Sequence, residues 1–285
     1  MIDFVNLNDA AFPLTCQILE LRAVAPHYHD KLVFLVIVLE GKVVLHAGGL
    51  HRELIEGEMA FINTGEVHYT EDGRNNKVLV VHADAKGDFY RNSCAFEKSE
   101  YADLKINLLS ITYAYYMDEL IDENEYRIIC DNIAEMIKST FNISAKKLAG
   151  HIQNNYMHRM SGIDVADATG LNSKAITAML KKEGLGTFSD YLRYVRCTVA
   201  DKLLVTSKIK INVISDLAGF SSVRSFIRDF TVYSGRTPLQ QRKYYKEISK
   251  HKFNRTMDVP NHQKVEILCQ YAGNLYMRGY LSSVL

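Results

Sequence analysis

The sequence predicts a two-domain α+β protein, with a small β-barrel and following helices in its N-terminal half and an all-α domain after them. Its 285 residues exceed what one hydrophobic core usually organises. Short apolar stretches with glycine-centred turns give way to a helical period at about residue 100. Charge also separates: residues 1–144 carry 12 Lys and Arg against 23 Asp and Glu, whereas residues 145–243 carry 16 against 7. A basic module of this kind commonly meets phosphate groups.

Bulk features predict a reduced, cytoplasmic protein that does not enter a membrane. The sequence has no apolar run of about 18 residues, and its first residues lack the basic stretch and apolar core of a signal peptide. The five cysteines are odd in number, widely spaced and never arranged as C-x-x-C. This usage favours neither a disulfide framework nor a zinc finger.

Short strands dominate the first part of the chain. Residues 32–49 are rich in Val, Ile and Leu and are broken at Gly41, which predicts a strand, a turn and a strand. Residues 54–69 repeat this style around Gly57, and residues 77–84 form a further short strand. Many short strands with glycine-centred turns predict a small barrel or sandwich.

Two amphipathic helices are predicted next. From about residue 100, apolar side chains recur at spacings of three and four, first over residues 101–121 and then over residues 122–140. The second stretch begins with acidic residues and has Lys138 near its end, the polarity that a helix dipole favours. Such helices pack on their own domain or form a dimer seam, and we expect a homodimer.

The remaining helical region contains an internal repeat. The sequence "TGLNSKAITAML" over residues 169–180 resembles "AGFSSVRSFIRDF" over residues 218–230. A helix-turn-helix motif needs glycine in its turn because that position favours a left-handed backbone. The repeat therefore predicts two such motifs, with Gly170 and Gly219 in their turns.

In each motif the second helix should bury its apolar face and expose the other. Phe226 and Phe230 should fix the helix of the second motif on its domain and leave Arg224 and Arg228 facing outward. An outward face near a helix N-terminus is what such a motif inserts into the major groove, where arginine can read guanine. The alternative is that both arginines are solvated and pair with acidic neighbours such as Asp229.

A helix over residues 187–204 is predicted between the two motifs. Its apolar stripe would make it a rigid spacer that holds both second helices on one side of the molecule. Two helices fixed in this way would suit adjacent major grooves, about 34 Å apart.

Residues 148–245 resemble the paired helix-turn-helix domain of the AraC/XylS family of bacterial transcription regulators. The resemblance is carried by an ordered set of residues: Gly170, Tyr191, Arg196, Ala200, Leu204, Ile214, Gly219, Phe220, Ser225, Phe226, Arg228, Phe230, Gly235, Thr237, Pro238 and Arg242. It implies seven helices, binding to double-stranded promoter DNA, and RNA polymerase as a partner. The residues expected to bind DNA are Lys174, Thr177, Lys181, Val223, Arg224 and Arg228.

The N-terminal half resembles a cupin barrel. The sequences "HYHDKLVFLVIVLEGKVV" and "GEMAFINTGEVH" are similar to the two cupin half-motifs and offer His27, His29 and His68 as a candidate ligand pocket. Metal-binding cupins add a glutamate, but its position falls at Val33 and Phe34. We therefore expect a barrel interior that takes a small molecule or merely packs, with no cofactor and no metal, although three histidines alone can hold an ion.

Together these features predict four segments. They are a cupin-like sensor barrel, a helical dimerisation segment, a double helix-turn-helix domain, and an extension without an assigned role that contains a helix after Pro260. Their bounds are residues 1–90, 91–145, 146–245 and 246–285.

The function expected is that of a DNA-binding regulator, acting as an activator under the control of a small molecule or another signal, and not that of an enzyme. A metal-dependent cupin enzyme with an accessory helical domain is the alternative. A DNA-binding architectural protein without any ligand is a third reading.

Overall fold

A computed structural model describes residues 14–71, 73, 75–84, 91–117, 123–141, 145–250 and 254–277. Its N-terminal part is built from strands, as predicted, and most of them are short. These strands are β1 (Leu14–His27), β2 (Leu32–Glu40), β3 (Lys42–Ala47), β4 (Leu50–Ile55), β5 (Met59–Ile62), β6 (His68–Thr70), β7 (Lys77–Asp84) and β8 (Cys94–Phe96).

The strands form one antiparallel sheet that curls into a nearly closed, cupin-like barrel. Their order is β4-β3-β6-β1-β7-β2-β5-β8. The two ends of this path meet, because Arg52 on β4 makes ion pairs of 2.7 Å with Glu58 and with Glu97, the residue after β8. Gly41 and Gly57 adopt the positive φ angles that their predicted turns require.

Side chains of the central strand β2 alternate between two apolar cores. Val33, Leu35 and Ile37 join a core on the outer face of the sheet. Phe34 and Val36 point into the barrel, where they pack with residues of β3, β4, β5 and β7. Burial on both faces explains why β2 is a continuous apolar run.

Helices α1 (Ala102–Met117) and α2 (Glu123–Phe141) cover the outer face. Leu104 and Leu108 of α1 and Ile133 of α2 lie in the outer core, and Phe141 stacks on Phe61 with ring centroids 4.5 Å apart. The apolar faces of both helices thus pack on their own barrel, one of the two arrangements expected; the dimer seam stays a prediction.

The end of the chain returns to the barrel. Strand β9 (Asn254–Asp258) pairs antiparallel with β1, and helix α10 (Asn261–Met277) packs on α1. Val259, Ile267 and Leu268 are buried in the outer core. The helix after Pro260 is confirmed, whereas β9 was not predicted. We call β1–β9 with α1, α2 and α10 the barrel unit; the predicted segment limits remain predictions.

The region between residues 145 and 250 forms seven helices, the number that the family resemblance implies. We call it the helical unit. Its members are α3 (Lys146–Asn155), α4 (Gly162–Thr169), α5 (Ser173–Lys182), α6 (Phe188–Thr206), α7 (Ile211–Leu217), α8 (Val223–Ser234) and α9 (Pro238–Lys250).

Helix α6 connects two apolar clusters of the helical unit. It is continuous over 19 residues, which is about 28 Å at 1.5 Å per residue. Its N-terminal half contributes Tyr191 and Val195 to the core around α4 and α5, and its C-terminal half contributes Ala200 and Leu204 to the core around α7 and α8. The predicted spacer helix is confirmed. None of the helices within the described ranges is long and apolar enough to cross a membrane.

Candidate functional site

The first helix-turn-helix motif consists of α4 and α5. Its turn residue Gly170 has φ +72°, and Asn172 caps α5 by accepting a hydrogen bond from the backbone of residue 175. Ile176 and Leu180 are buried and anchor α5 in the helical unit. The sequence therefore determines locally both where α5 begins and which of its faces is buried.

The outer face of α5 carries the predicted cationic residues. Lys174 and Lys181 are exposed, whereas Thr177 is half-buried. Ala178 is also exposed, so this face holds two lysines around a small apolar surface. The exposure that DNA contact requires is present for both lysines and partial for Thr177; base reading by these residues stays a prediction.

The second motif consists of α7 and α8. Gly219 has φ +79° in its turn, and Ser222 caps α8. Phe226 and Phe230 are fully buried with ring centroids 5.6 Å apart. These anchors point the opposite side of α8 outward, where Val223, Arg224, Ile227 and Arg228 are all exposed.

Arg228 is both exposed and paired. Its side chain is 72% accessible, and its Nε donates a hydrogen bond of 2.8 Å to the Asp229 carboxylate. The alternative in which an arginine pairs with an acidic neighbour is therefore realised at Arg228. An ion pair exposed to this degree holds its partners weakly, so it leaves the guanidinium available for a phosphate or a base.

The second candidate region is a cluster of histidines at one end of the barrel interior. The ring centroids of His27 and His68 lie 4.3 Å apart, and those of His29 and His68 lie 5.5 Å apart. One ring nitrogen from each of the three lies within 4.8 Å of the others. The structure thus brings together the three residues predicted to form a pocket.

Backbone carbonyl groups orient two of these rings. Nδ1 of His27 donates to the Ala25 oxygen at 2.8 Å, and Nδ1 of His68 donates to the Glu66 oxygen at 3.0 Å. A carbonyl oxygen can only accept, so Nδ1 carries the proton and the lone pair lies on Nε2 in each ring. In His29 the Nε2 atom is buried without a hydrogen-bond partner among the described residues.

A fourth histidine, His82, belongs to the same region and was missed. It packs edge-on against Phe34 with ring centroids 4.3 Å apart, and its Nδ1 lies 3.2 Å from the hydroxyl of Thr15. The sequence did hold a signal: His82 shares its parity along β7 with Val78 and Val80, which face the barrel interior.

Burial keeps these imidazoles neutral. Desolvation, together with the neighbouring histidines, lowers the pKa of His29 to about 4 and the pKa of His82 to about 3. The same two causes lower the pKa of His68 well below its ordinary value. At neutral pH the region therefore offers nitrogen lone pairs without positive charge. Among the described residues the metal-capable group contains no carboxylate, and Phe34 stands at one of the positions where a cupin glutamate was expected.

The histidine end of the barrel also contacts the helical unit. The hydroxyl of Tyr194 on α6 donates to the buried carboxylate of Glu66. Desolvation raises the pKa of Glu66 to about 7. Lys202 also lies on α6, and its Nζ makes an ion pair of 2.7 Å with Oδ1 of Asp30. The same Nζ lies 4.4 Å from the ring centroid of Tyr28. Sequence reasoning missed this contact because the paired residues are 128 and 172 positions apart.

Two sequence models of known domains match the chain. One, described as "AraC-like ligand binding domain", covers residues 17–88, and the other, described as "Helix-turn-helix domain", covers residues 165–244. The virulence regulon transcriptional activator VirF of Shigella flexneri is 35% identical over 97 residues, which are 34% of this chain and 37% of VirF. The matched stretch thus spans little more than a third of that relative.

Solved structures also match the chain, at lower sequence identity. A structure of ToxT from Vibrio cholerae has a TM-score of 0.47 and 11% identity, covering 82% of this chain and 98% of ToxT. The C-terminal domain of the response regulator yesN from Fusobacterium nucleatum has a TM-score of 0.33 and 29% identity, covering 35% of this chain and 97% of that domain. The two domain matches lie in the predicted order and together cover more than half of the sequence. The chain belongs to the AraC family of transcription regulators.

Proposed function

We propose that the protein is a sequence-specific DNA-binding transcription regulator that activates its targets in response to a signal received by the barrel unit. The observation that carries this proposal is the construction of α5 and α8. Each is anchored by buried apolar residues, and each presents basic side chains on its exposed face. Helix α6 is packed against both motifs and supports a fixed spacing between them.

Charge supports DNA as the partner. The segment 145–243 carries 16 basic against 7 acidic residues, so it would attract a polyanion, and binding should weaken steeply with salt as counterions are released. The base contacts proposed are those of the residues named for α5 and α8: Lys174, Thr177, Lys181, Val223, Arg224 and Arg228.

The remaining partners follow from this role. An activator acts at promoters, so RNA polymerase is the proposed protein partner and the cytoplasm the proposed location. We propose a homodimer, with a small molecule in the barrel as the signal. The exposed Ile128 on α2, which is 60% accessible, is a candidate for the dimer contact.

The proposal is tested by selecting bound sequences from random double-stranded DNA with the full chain. A defined recognition sequence with two sites about one helical turn apart is expected. Replacing Arg228 by alanine should weaken binding to the selected sequence about 10- to 100-fold and relax selection at one base pair. Lys246→Ala is the control, because Lys246 is an exposed basic residue on α9 outside both motifs.

Two results would contradict the proposal. Recovery of no common sequence would remove sequence-specific binding. Equal weakening of all DNA sequences by Arg228→Ala would show that this side chain contacts phosphate, and the base-reading role would be withdrawn.

A further inference from the structure

Residues 27–30 of the barrel lie where it contacts the helical unit, and they alternate between two roles. His27 and His29 belong to the histidine cluster. Tyr28 and Asp30, the residues that follow each of them, contact Lys202 of the helical unit through the ring and the carboxylate, respectively. Cluster and interface therefore share four consecutive positions.

Residues 66–69 form a second segment with the same arrangement. His68 belongs to the cluster, and its neighbours face the helical unit. Glu66 accepts a hydrogen bond from Tyr194, while Val67 and Tyr69 are buried in the apolar cluster around α6, α8 and α9. His27, His29 and His68 are thus each adjacent to a residue that contacts the helical unit.

We propose that His27, His29 and His68 bind one divalent transition-metal ion through their ring nitrogens, and that this ion controls the contact between the two units. Histidines that bind metals usually donate their second ring N–H to a carbonyl or carboxylate, which orients the ring. His27 and His68 already do so through backbone oxygens. Three imidazoles without a carboxylate suit zinc and other first-row transition metals better than magnesium or calcium.

An ion bound by the three histidines would draw their ring nitrogens closer together. Zinc–nitrogen bonds of about 2.0–2.1 Å in a tetrahedral site place the nitrogens about 3.4 Å apart. The three nitrogens lie within 4.8 Å of one another, so binding would draw them together by up to about 1.4 Å. Coordination would also give the buried Nε2 of His29 the partner that it lacks among the described residues.

This contraction should reach the helical unit. A backbone hydrogen bond of 2.7 Å from the amide of Gly65 to the oxygen of His29 ties the two segments, so they should move together. Each histidine displacement shifts a neighbour that contacts α6, which changes how the helical unit is held. The regulatory consequence rests on the proposed DNA-binding function, whereas metal binding does not.

Metal binding is tested on the full chain without an affinity tag, after treatment with a chelator. Titration with Co²⁺, followed by its visible absorption, and competition with Zn²⁺ should give one ion per chain. His29→Gln should weaken binding at least about 10-fold, because it removes one of three ligands. His262→Ala is the matched control, since His262 is exposed on α10 away from the cluster, and it should leave the affinity unchanged.

The titration decides the site. Binding of much less than one ion per chain, or the same affinity in His29→Gln as in the natural sequence, would overturn it. Circular dichroism shows whether His29→Gln folds; if it does not, His27→Gln replaces it, with the same expected loss.

The coupling needs a separate measurement. Hydrogen exchange of α6 around Lys202 should change at least about threefold between the metal-free and zinc-loaded protein; no change would refute control of the interface. The same two states are then tested on the selected DNA. Failure to bind DNA in both would refute the proposed function, while the titration would still stand for the metal site.

Discussion

The buried carboxyl of Asp201 should make the stability of the helical unit depend on pH. Asp201 lies on α6 and is 2% accessible, and its Oδ1 accepts a hydrogen bond of 2.9 Å from the hydroxyl of Tyr245. Desolvation raises its pKa from the ordinary value of 3.8 to about 7, and the hydrogen bond from Tyr245 only partly opposes this. The folded protein therefore favours the protonated acid.

The sign follows from proton binding. Between about pH 4 and pH 7 the folded state holds a proton that the unfolded state has released, so the free energy of unfolding falls as pH rises and levels off above pH 7. A pKa shift from 3.8 to about 7 corresponds to roughly 4 kcal/mol, an upper limit to this loss.

Replacing Asp201 by asparagine would remove the ionisation and keep an oxygen acceptor for Tyr245. Between pH 5 and pH 8 the natural sequence should lose about 2–3 kcal/mol of unfolding free energy through Asp201, because the loss accrues over the roughly two pH units from pH 5 to the folded pKa of about 7. Asp201→Asn should lack this loss. Urea unfolding followed by circular dichroism at both pH values gives the double difference, in which pH-independent costs of the amide cancel. Glu66 also has a raised pKa, and its charge adds to the raised pKa of Asp201. It is present in both proteins, so most of its own contribution to the pH dependence cancels.

The complementary variant Tyr245→Phe removes the donor that stabilises the charged form of Asp201. It should therefore destabilise the protein more at pH 8 than at pH 5. The reasoning is refuted if Asp201→Asn shows the same pH dependence of unfolding as the natural sequence, because the carboxyl would then have an ordinary pKa.

Three further predictions concern the turns, the interface and the tail. In urea unfolding, Gly219→Ala should lower the free energy of unfolding more than Gly170→Ala does, by at least about 1–2 kcal/mol. Both glycines have positive φ, but only at Gly219 would a Cβ collide with the backbone at the end of α3. Equal losses in the two variants would contradict this. Tyr194→Phe removes the donor to a buried carboxylate and should speed hydrogen exchange of α6, and unchanged exchange would show that this bond does not hold the units. Leu268→Ala should destabilise the barrel unit by about 2–5 kcal/mol, because Leu268 is buried in the outer core. Cys269→Ala, at the exposed neighbouring position, should have little effect. Similar losses of stability in both variants would refute the packing of α10 on the barrel unit.

Much of the helical unit could be predicted because its signals are local. The buried spacing of Phe226 and Phe230, the caps Asn172 and Ser222, and the turn glycine Gly219 each act within one or two helical turns. Such short-range patterns determine where a helix begins and which face it buries, whatever the rest of the chain does.

The barrel was predicted as a class but not in its pairing. Apolar stretches and turn glycines predicted the positions of most of its strands. No local pattern indicated that β9 would pair with β1, more than 200 residues away in the chain. The histidine motif identified His27, His29 and His68, and their convergence is confirmed. His82 was missed because one histidine in an apolar strand carries no motif.

Periodicity and turn chemistry over a few residues were enough to predict the two-part organisation, the anchored helices with Arg224 and Arg228 outward, and the candidate histidines. The contacts of Glu66 with Tyr194 and of Lys202 with Asp30, which place the histidine cluster against the helical unit, become visible only in the folded chain. Contacts between distant positions are selected by the packing of whole elements, since closing so long a loop is compensated only by the full set of surfaces buried together.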